Sequence, residues 1–557
     1  MFLFMKIYMY ICIILSSFMI SCNSYLDEEA LDFKSNENSF ITKADFDRSV
    51  VNLYNLVRTE FYTNGENNPL DYIFGTDLVY DGQIQGAQRF NDFDNVCNPN
   101  NGYLISHWKN LYKMVSECNT ILNRVSISEL DDSEKSVIEA QAKFFRAFAY
   151  RTLVYLYGGV PIELEELSTP KVDYTRASKE DVLKQVIDDL LYSAQFLPKI
   201  TDVKDGEISN IAANHLLAEV YIANKEFDKA YETATKVIED SNMKLMYERF
   251  GSMKSEPGDV YYDLFRVGNQ NRSAGNTEAI WVIQFEVNTI GGGMTSTGSG
   301  GYKLERNHPP LIRDLVIDGE KPFLWPTSTL TGGRGIGWAI STRYFSNVIW
   351  ENSDWNDMRN SNYNFVRKFV CDNPGSKFYG DTLDTENPFP EYTEPIPNRM
   401  LYAYQSKATT PGQHPEDLYM DKVLGVLSGG AGTTYSDQYM FRLSETYLLR
   451  AEAALGLGDK SKAADDINVV RKRAKAKVIS SKDVDLDYIL DERMRELGVE
   501  EKRRLTLGRL GEVYRRTVIV AKNPLVKNMQ EKHNLWPIPY SEIERNTDAV
   551  IEQNEGY

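Results

Sequence analysis

The sequence predicts a mainly α-helical protein, a tetratricopeptide-repeat-like scaffold carrying a large loop-rich insertion with short strands. Three observations lead there. Apolar residues recur at three- and four-residue spacing over long stretches in both the N-terminal and the C-terminal part of the chain. Two widely separated segments carry the small-residue signature of paired helices. Between them the helical period vanishes, and glycine, proline and asparagine take over.

The chain opens with an apolar, uncharged run from Ile7 to Ile20, preceded by the single charge of Lys6. Its 14 residues fall short of the roughly 18 to 20 needed to span a hydrocarbon core. Met19-Ile20-Ser21-Cys22 is similar to a bacterial lipobox, and an acidic stretch, Asp27-Glu28-Glu29, follows soon after. Residues 1–21 are therefore expected to be a lipoprotein signal peptide, with Cys22 lipidated. Two or more acyl chains, at about 0.8 kcal/mol per buried methylene, tether a protein to a bilayer without spanning it. Met5 is an alternative start.

Residues 22–250 read as the N-terminal helical region. Trp108, Leu111, Tyr112, Val115, Cys118 and Leu122 mark a helix between Ser106 and Arg124. A second, from Ser133 to Tyr157, carries Ile138, Ala142, Phe145, Ala149, Leu153 and Leu156, and Gly158-Gly159-Val160-Pro161 stops it. Ser178 is a cap, with Asp181 at the third helical position, for a helix that Pro198 closes. Leu217, Ala218, Tyr221 and Ala230 then fit the tetratricopeptide register, whose small residues let two helices approach closely.

Residues 251–435 form the loop-rich insertion. Gly291 to Gly293, Gly298 to Gly301 and Gly332 to Gly337 are its glycine clusters, and Glu278 to Phe285 alternates like a strand. Residues 436–557 return to helices, with Ala451, Gly458 and Ala463 in the small, turn and small positions of a second pair. The two pairs belong to one solenoid completed by degenerate neighbours.

The charge balance, 62 Lys+Arg against 80 Asp+Glu for a net charge of -18, excludes nucleic acid as an expected partner. Cys97, Cys118 and Cys371 are too few and too far apart for a disulfide framework and read as buried thiols. The five histidines have no metal-ligand spacing, so no transition-metal site is expected. Asn91-Asp92-Phe93-Asp94-Asn95 clusters oxygen ligands that would suit Ca²⁺, yet it lacks the glycine and bidentate glutamate of a calcium loop and reads as a solvated turn; no cofactor is expected.

Several segments together resemble the SusD/RagB family of outer-membrane nutrient-binding lipoproteins of Bacteroidetes. They are Tyr25-Leu26-Asp27, Trp108-x-x-Leu111-Tyr112 ending in Cys118-Asn119, and Ala140 to Arg146 followed by Leu156-Tyr157-Gly158-Gly159-Val160-Pro161. Arg442 to Ala453, Asn468-x-x-Arg471-x-Arg473, Glu492-Arg493-x-x-Glu496 and the Trp536-Pro537-Ile538-Pro539 and Asn554-x-Gly556-Tyr557 terminus follow in order. Thr506 departs from the family pattern, which has an Asp there. The resemblance implies four tetratricopeptide-like helix pairs, a surface-facing, lipid-anchored place on the outer membrane, and a SusC-like TonB-dependent transporter as partner. It further implies capture of oligo- or polysaccharide without bond chemistry. Alternatives are a peptide-binding member of the same family or an exported carbohydrate-active hydrolase.

Glu492, Arg493, Glu496, Glu500, Arg503 and Arg504 look catalytic, but their spacing reads as ion pairs along one helix, worth about 0.2 to 0.5 kcal/mol each. A glycosidase needs two carboxylates across a cleft instead. Aromatic residues make up 12% of the chain, and rings on loops beside amide, carboxylate and guanidinium groups suit a pyranose, whose C–H face stacks while its hydroxyls are hydrogen-bonded. Composition alone selects Asp77, Tyr80, Asp81, Gln83 and Phe90 from the segment 72–93, and Trp325, Arg334 and Trp338 from 302–355, as ligand-binding residues. Trp108, Trp281 and Trp536 are assigned to packing.

Overall fold

Ten helices of eight or more residues organise the described part of the chain. The computed structural model describes residues 40–83 and 89–557; the expected signal peptide, Cys22 and Tyr25-Leu26-Asp27 lie outside them. The helices are α1 (Lys43–Arg58), α2 (Gly102–Ser126), α3 (Asp132–Tyr157), α4 (Lys179–Phe196), α5 (Asn210–Ala223), α6 (Phe227–Ile238), α7 (Leu443–Gly456), α8 (Lys460–Arg473), α9 (Leu486–Glu496) and α10 (Arg503–Leu510). Their ends follow local chemistry. The Ser178 hydroxyl accepts from the Asp181 N–H to start α4, and Gly158, at φ 75°, ends α3 where an L side chain would be strained.

Helices α2 to α6 pack each on the next, and α6 then packs on α7 and α7 on α8. The stack is thus continuous in space although about 200 residues separate α6 from α7 in sequence. Close approach at that junction requires a residue without a side chain: a Cβ at Gly456 would fall 2.5 Å from Cγ of the Phe227 ring. Helix α1, which the sequence reading passed over, lays Phe46, Val50, Leu53 and Val57 into the same core and packs on α2 and α3.

Strands of three or more residues are short: β1 (Val79–Asp81), β2 (Ala279–Ile283), β3 (Ala339–Ser341), β4 (Lys368–Val370), β5 (Thr382–Asp384), β6 (Tyr419–Asp421) and β7 (Gln438–Arg442). β2 pairs antiparallel with β7, the segment that leads straight into α7, so this ribbon ties the insertion to the C-terminal helices. Trp281 on β2 plugs that ribbon into the solenoid, its ring edge-on to Phe144 and Phe148 at 5.4 and 5.5 Å and its indole N–H on the Gly206 carbonyl. Cys97, Cys118 and Cys371 are buried free thiols.

The charges of α9 are not a surface stripe. Glu492, Arg493, Arg495 and Glu496 are buried, and all but one of their ion pairs cross to other elements. Glu492 meets Arg359 at 2.8 Å and Arg471 at 3.0 Å; Glu496 meets Arg359 at 3.0 Å and also pairs with Arg442 and Arg473. Arg473 continues to Glu278 at 2.6 Å, and Glu500 joins Arg442 to Lys407. Ion pairs along one helix were therefore the wrong partners. The structure joins α8, α9, β7 and the insertion residues Glu278, Arg359 and Lys407 in one buried network. Thr506, where the family pattern has Asp, donates its hydroxyl to Glu501 at 2.8 Å, and Glu501 supplies the carboxylate that pairs with Arg493 and Arg503.

Removing one partner of such a network leaves its buried counter-charges uncompensated. Glu496→Gln is expected to lower the unfolding free energy by about 3 to 5 kcal/mol. Glu226→Gln, which breaks only the exposed pair with Lys229, should change it by less than about 1 kcal/mol. Urea unfolding followed by circular dichroism measures both.

Candidate functional site

The two segments singled out from composition meet at β1 and β3, which pair antiparallel with Asp81 opposite Ala339. One residue further on, the Gly82 N–H donates to the Trp338 carbonyl at 2.7 Å. The contact is backbone on backbone: a Cβ at Gly82 would lie 2.6 Å from the Gly337 carbonyl oxygen, and Gly337, at φ 62°, has no room for one against the Arg399 carbonyl. The glycine run 332–337 thus serves close approach of chains.

Further bonds tie four loops into a plate. Trp338 N–H donates to Asn307 O at 3.0 Å, Gly337 N–H to Pro309 O at 3.0 Å and Ile336 N–H to Arg306 O at 2.8 Å. The Arg399 Nε–H donates to Ile336 O at 2.7 Å, and Leu311 N–H to Arg399 O at 3.0 Å. Beneath lies a second apolar cluster that includes Tyr80, Phe323, Ile340, Phe369, Tyr402 and Tyr404. Half-buried Trp338 and Arg334 belong to this plate, and Trp325 stands out of it, 58% exposed. Lys321 Nζ lies 5.1 Å and Arg313 Cζ 5.8 Å from the centre of the Trp325 ring. Gln83 is half-buried beside the plate, its N–H on Asp81.

Four of the eight selected residues do not face solvent. Asp77 is fully buried between Arg503 at 2.7 Å and Arg516 at 2.9 Å. Burial pushes its carboxyl up, but the two guanidiniums outweigh it and hold the pKa at about 2. Tyr80 is a core ring of the second cluster. Asp81 accepts the Gln83 N–H at 2.8 Å and the Arg89 N–H at 2.7 Å, stapling the two ends of one loop, and burial raises its pKa to about 6. Phe90 is buried and stacks on Trp536, with centroids 5.8 Å apart and planes 12° apart. Trp108, Trp281 and Trp536 are buried, as packing requires.

The acidic turn at 91–95 is bonded within the protein. Asn91 exchanges hydrogen bonds with the Asp81 backbone, and Asp92 accepts from Asn95 and Asn528. The ring of buried His107 bridges Glu60 and Asp71; burial opposes its charge, but the two carboxylates raise its pKa to about 9. Sequence reasoning passed over this triad and Arg313, Lys321 and Arg399. The clustering of Arg306, Arg313 and Arg334 near Trp325 and Trp338 was the one available signal.

A groove of about 440 Å³ shares no lining residue with the plate. Its rings are less open than that of Trp325: Trp108 is 4% exposed, and Tyr112 and Tyr174 are half-buried, with the Tyr112 hydroxyl donating to Pro161 O at 2.7 Å. A polymer that extends beyond its binding site needs an open surface with accessible rings, which the plate provides.

A solenoid of helix pairs bearing a rigid loop plate with accessible rings defines a binding scaffold. Residues 25–222 match the family model described as "Starch-binding associating with outer membrane", and residues 341–557 match the SusD family model. The chain belongs to the SusD/RagB family. It is 25% identical over 599 residues to SusD-like protein P25 of Formosa agariphila, covering 99% of both chains. A laminarin-binding SusD-like protein superposes with a TM-score of 0.65 at 20% identity, over 93% of this chain and 100% of the other. Surface glycan-binding protein A from Bacteroides thetaiotaomicron, solved with laminarihexaose, does so with a TM-score of 0.67 at 19% identity, over 92% and 99%.

Gly337→Ala is expected to part the 306–311 and 399 segments and to loosen the plate, seen as faster amide exchange at Gly82 and Trp338 with the solenoid signals unchanged. Asp77 has a distinct acid signature. Its folded pKa lies below the unfolded value, so its stabilisation is complete above roughly pH 4 and disappears as pH falls through about 2. Wild-type stability should therefore fall between these values by about 2 kcal/mol more than that of Asp77→Asn, measured by urea unfolding at each pH.

Proposed function

We propose that this chain is a cell-surface lipoprotein, anchored in the outer membrane through Cys22, that binds oligo- or polysaccharide and delivers it to a SusC-like TonB-dependent transporter. Family membership supports the location and the partner. The ligands of the similar structures, laminarin and laminarihexaose, support the ligand class. The observation that carries the reading is the exposed indole of Trp325, with Arg313 and Lys321 over its ring, together with half-buried Trp338 and Arg334 in the bonded loops of the plate. Indole faces take the C–H side of a sugar ring, and guanidinium and amide groups take its hydroxyls.

Binding without cleavage is supported by the state of Glu492 and Glu496, the two carboxylates of α9 whose spacing looked catalytic. Burial raises the pKa of Glu492 and Glu496, but the arginines around them lower it further, so both remain ionised and bonded. Neither is poised to give a proton to a glycosidic oxygen.

Calorimetric titration of a glycan panel tests the reading. Trp325→Ala and Trp338→Ala should each weaken binding about fivefold to tenfold, and Tyr80→Phe, a change in the core, should leave it unchanged. Product release from the bound glycan, or binding unaffected by both tryptophan changes, overturns the proposal. Cys22→Ala should shift the protein from the membrane to the soluble fraction and abolish its co-purification with the transporter.

A further inference from the structure

In a chain of net charge -18, the plate gathers Arg306, Arg313, Arg334, Arg399 and Lys321, of which only Arg306 has an ion pair among the described residues. Arg334 makes no ion pair or hydrogen bond among the described residues, although it is half-buried. Its side chain flanks Gly432 together with that of Arg306: a Cβ there would lie 3.5 Å from Arg334 Cβ and 3.6 Å from Arg306 Cβ. Arg306 is neutralised by Glu66. Arg313 has a buried Nε with no hydrogen-bond partner. Arg399 donates only to a carbonyl oxygen, and exposed Lys321 has only the Trp325 ring.

Burial holds Arg313 below the usual arginine range, and although Asp314 opposes this, the fields of Arg334, Arg306 and Arg399 add to it. These side chains therefore share one neighbourhood. Unpaired guanidiniums that repel one another cost stability, and an anion placed among them would relieve that cost. A neutral sugar offers them only hydroxyls, whereas a carboxylate or sulfate ester accepts two parallel N–H bonds from a guanidinium.

We infer that the plate selects a polyanionic glycan, one bearing uronate carboxylates or sulfate esters, with Arg313, Arg334, Arg399 and Lys321 meeting the charges while Trp325 and Trp338 stack on the rings. This rests on the glycan-binding reading above and narrows its ligand class. Strong net negative charge elsewhere on the protein repels such a polymer and confines it to the plate.

The test is calorimetry with laminarin as the neutral probe, alginate and polygalacturonate as carboxylate probes, carrageenan and chondroitin sulfate as sulfate probes, and polyacrylate as a polyanion without rings. At least one acidic glycan should bind at least tenfold more tightly than laminarin and weaken as NaCl rises from 0.05 to 0.5 M, about these conditions sufficing to screen exposed charge. Arg334→Gln with Lys321→Gln, neither of which has an ion pair to lose, should cost about tenfold or more in that binding with a melting temperature equal to or above that of the wild type. Whether carboxylate or sulfate probes respond identifies the group. Laminarin bound as tightly or more tightly, with no effect of salt or of the double variant, overturns this inference and leaves glycan binding intact. Polyacrylate bound as tightly, and independently of Trp325, also overturns it. Binding of none of the glycans overturns both.

Discussion

The buried carboxylate–guanidinium network around α9 is the constraint on which the rest of the molecule depends. Glu492 and Glu496 each face three arginines, and those arginines come from α8, α9, β7 and the insertion. A buried charge is costly unless its partners are in place, so the network tolerates few arrangements of these elements. Asp77, between Arg503 and Arg516, extends the same logic to the segment leading into β1. Apolar packing alone, as at Trp281, joins surfaces without fixing their register so strictly.

That fixity is what the plate inherits. Its loops carry little regular structure, yet backbone bonds from 82, 307, 309, 311, 336 and 399 close on one another, and Tyr80, Phe323 and Tyr402 fill the space beneath. Loops become a binding surface when a rigid body holds them. Ligand capture then avoids most of the ordering cost that a mobile loop would incur. The proposed role would gain from this, because a ligand that is to be released again to a partner cannot be held by a large rearrangement.

The helical scaffold was legible because its signals are local. Ser178, Gly158 and the spacing of Leu217, Ala218, Tyr221 and Ala230 act within a few residues, and each does in the structure what its position implied. Helix α1 was equally legible from Phe46, Val50, Leu53 and Val57 and was simply passed over. The partners of α9 were not legible, since Arg359 and Glu496 lie 137 residues apart and spacing along one helix says nothing about a neighbour from another element. Asp77, Tyr80, Asp81 and Phe90 misled for a related reason. They sit in a segment without periodicity, which suggests exposure, whereas a cluster of short strands and turns buries side chains just as completely. Trp338 and Arg334 remain accessible because the glycines beside them bring the backbones together and leave the large side chains on the outside.

The account makes one structural claim above all, that a plate held rigid by the network is where the ligand lies. A crystal structure of the protein with a bound oligosaccharide tests it most directly. The account predicts sugar rings against Trp325 and Trp338, with the 306–338 backbone within about 1 Å of its ligand-free position. A ligand seated instead in the groove beside Trp108 and Tyr112, or a plate that assembles only around the sugar, would contradict it.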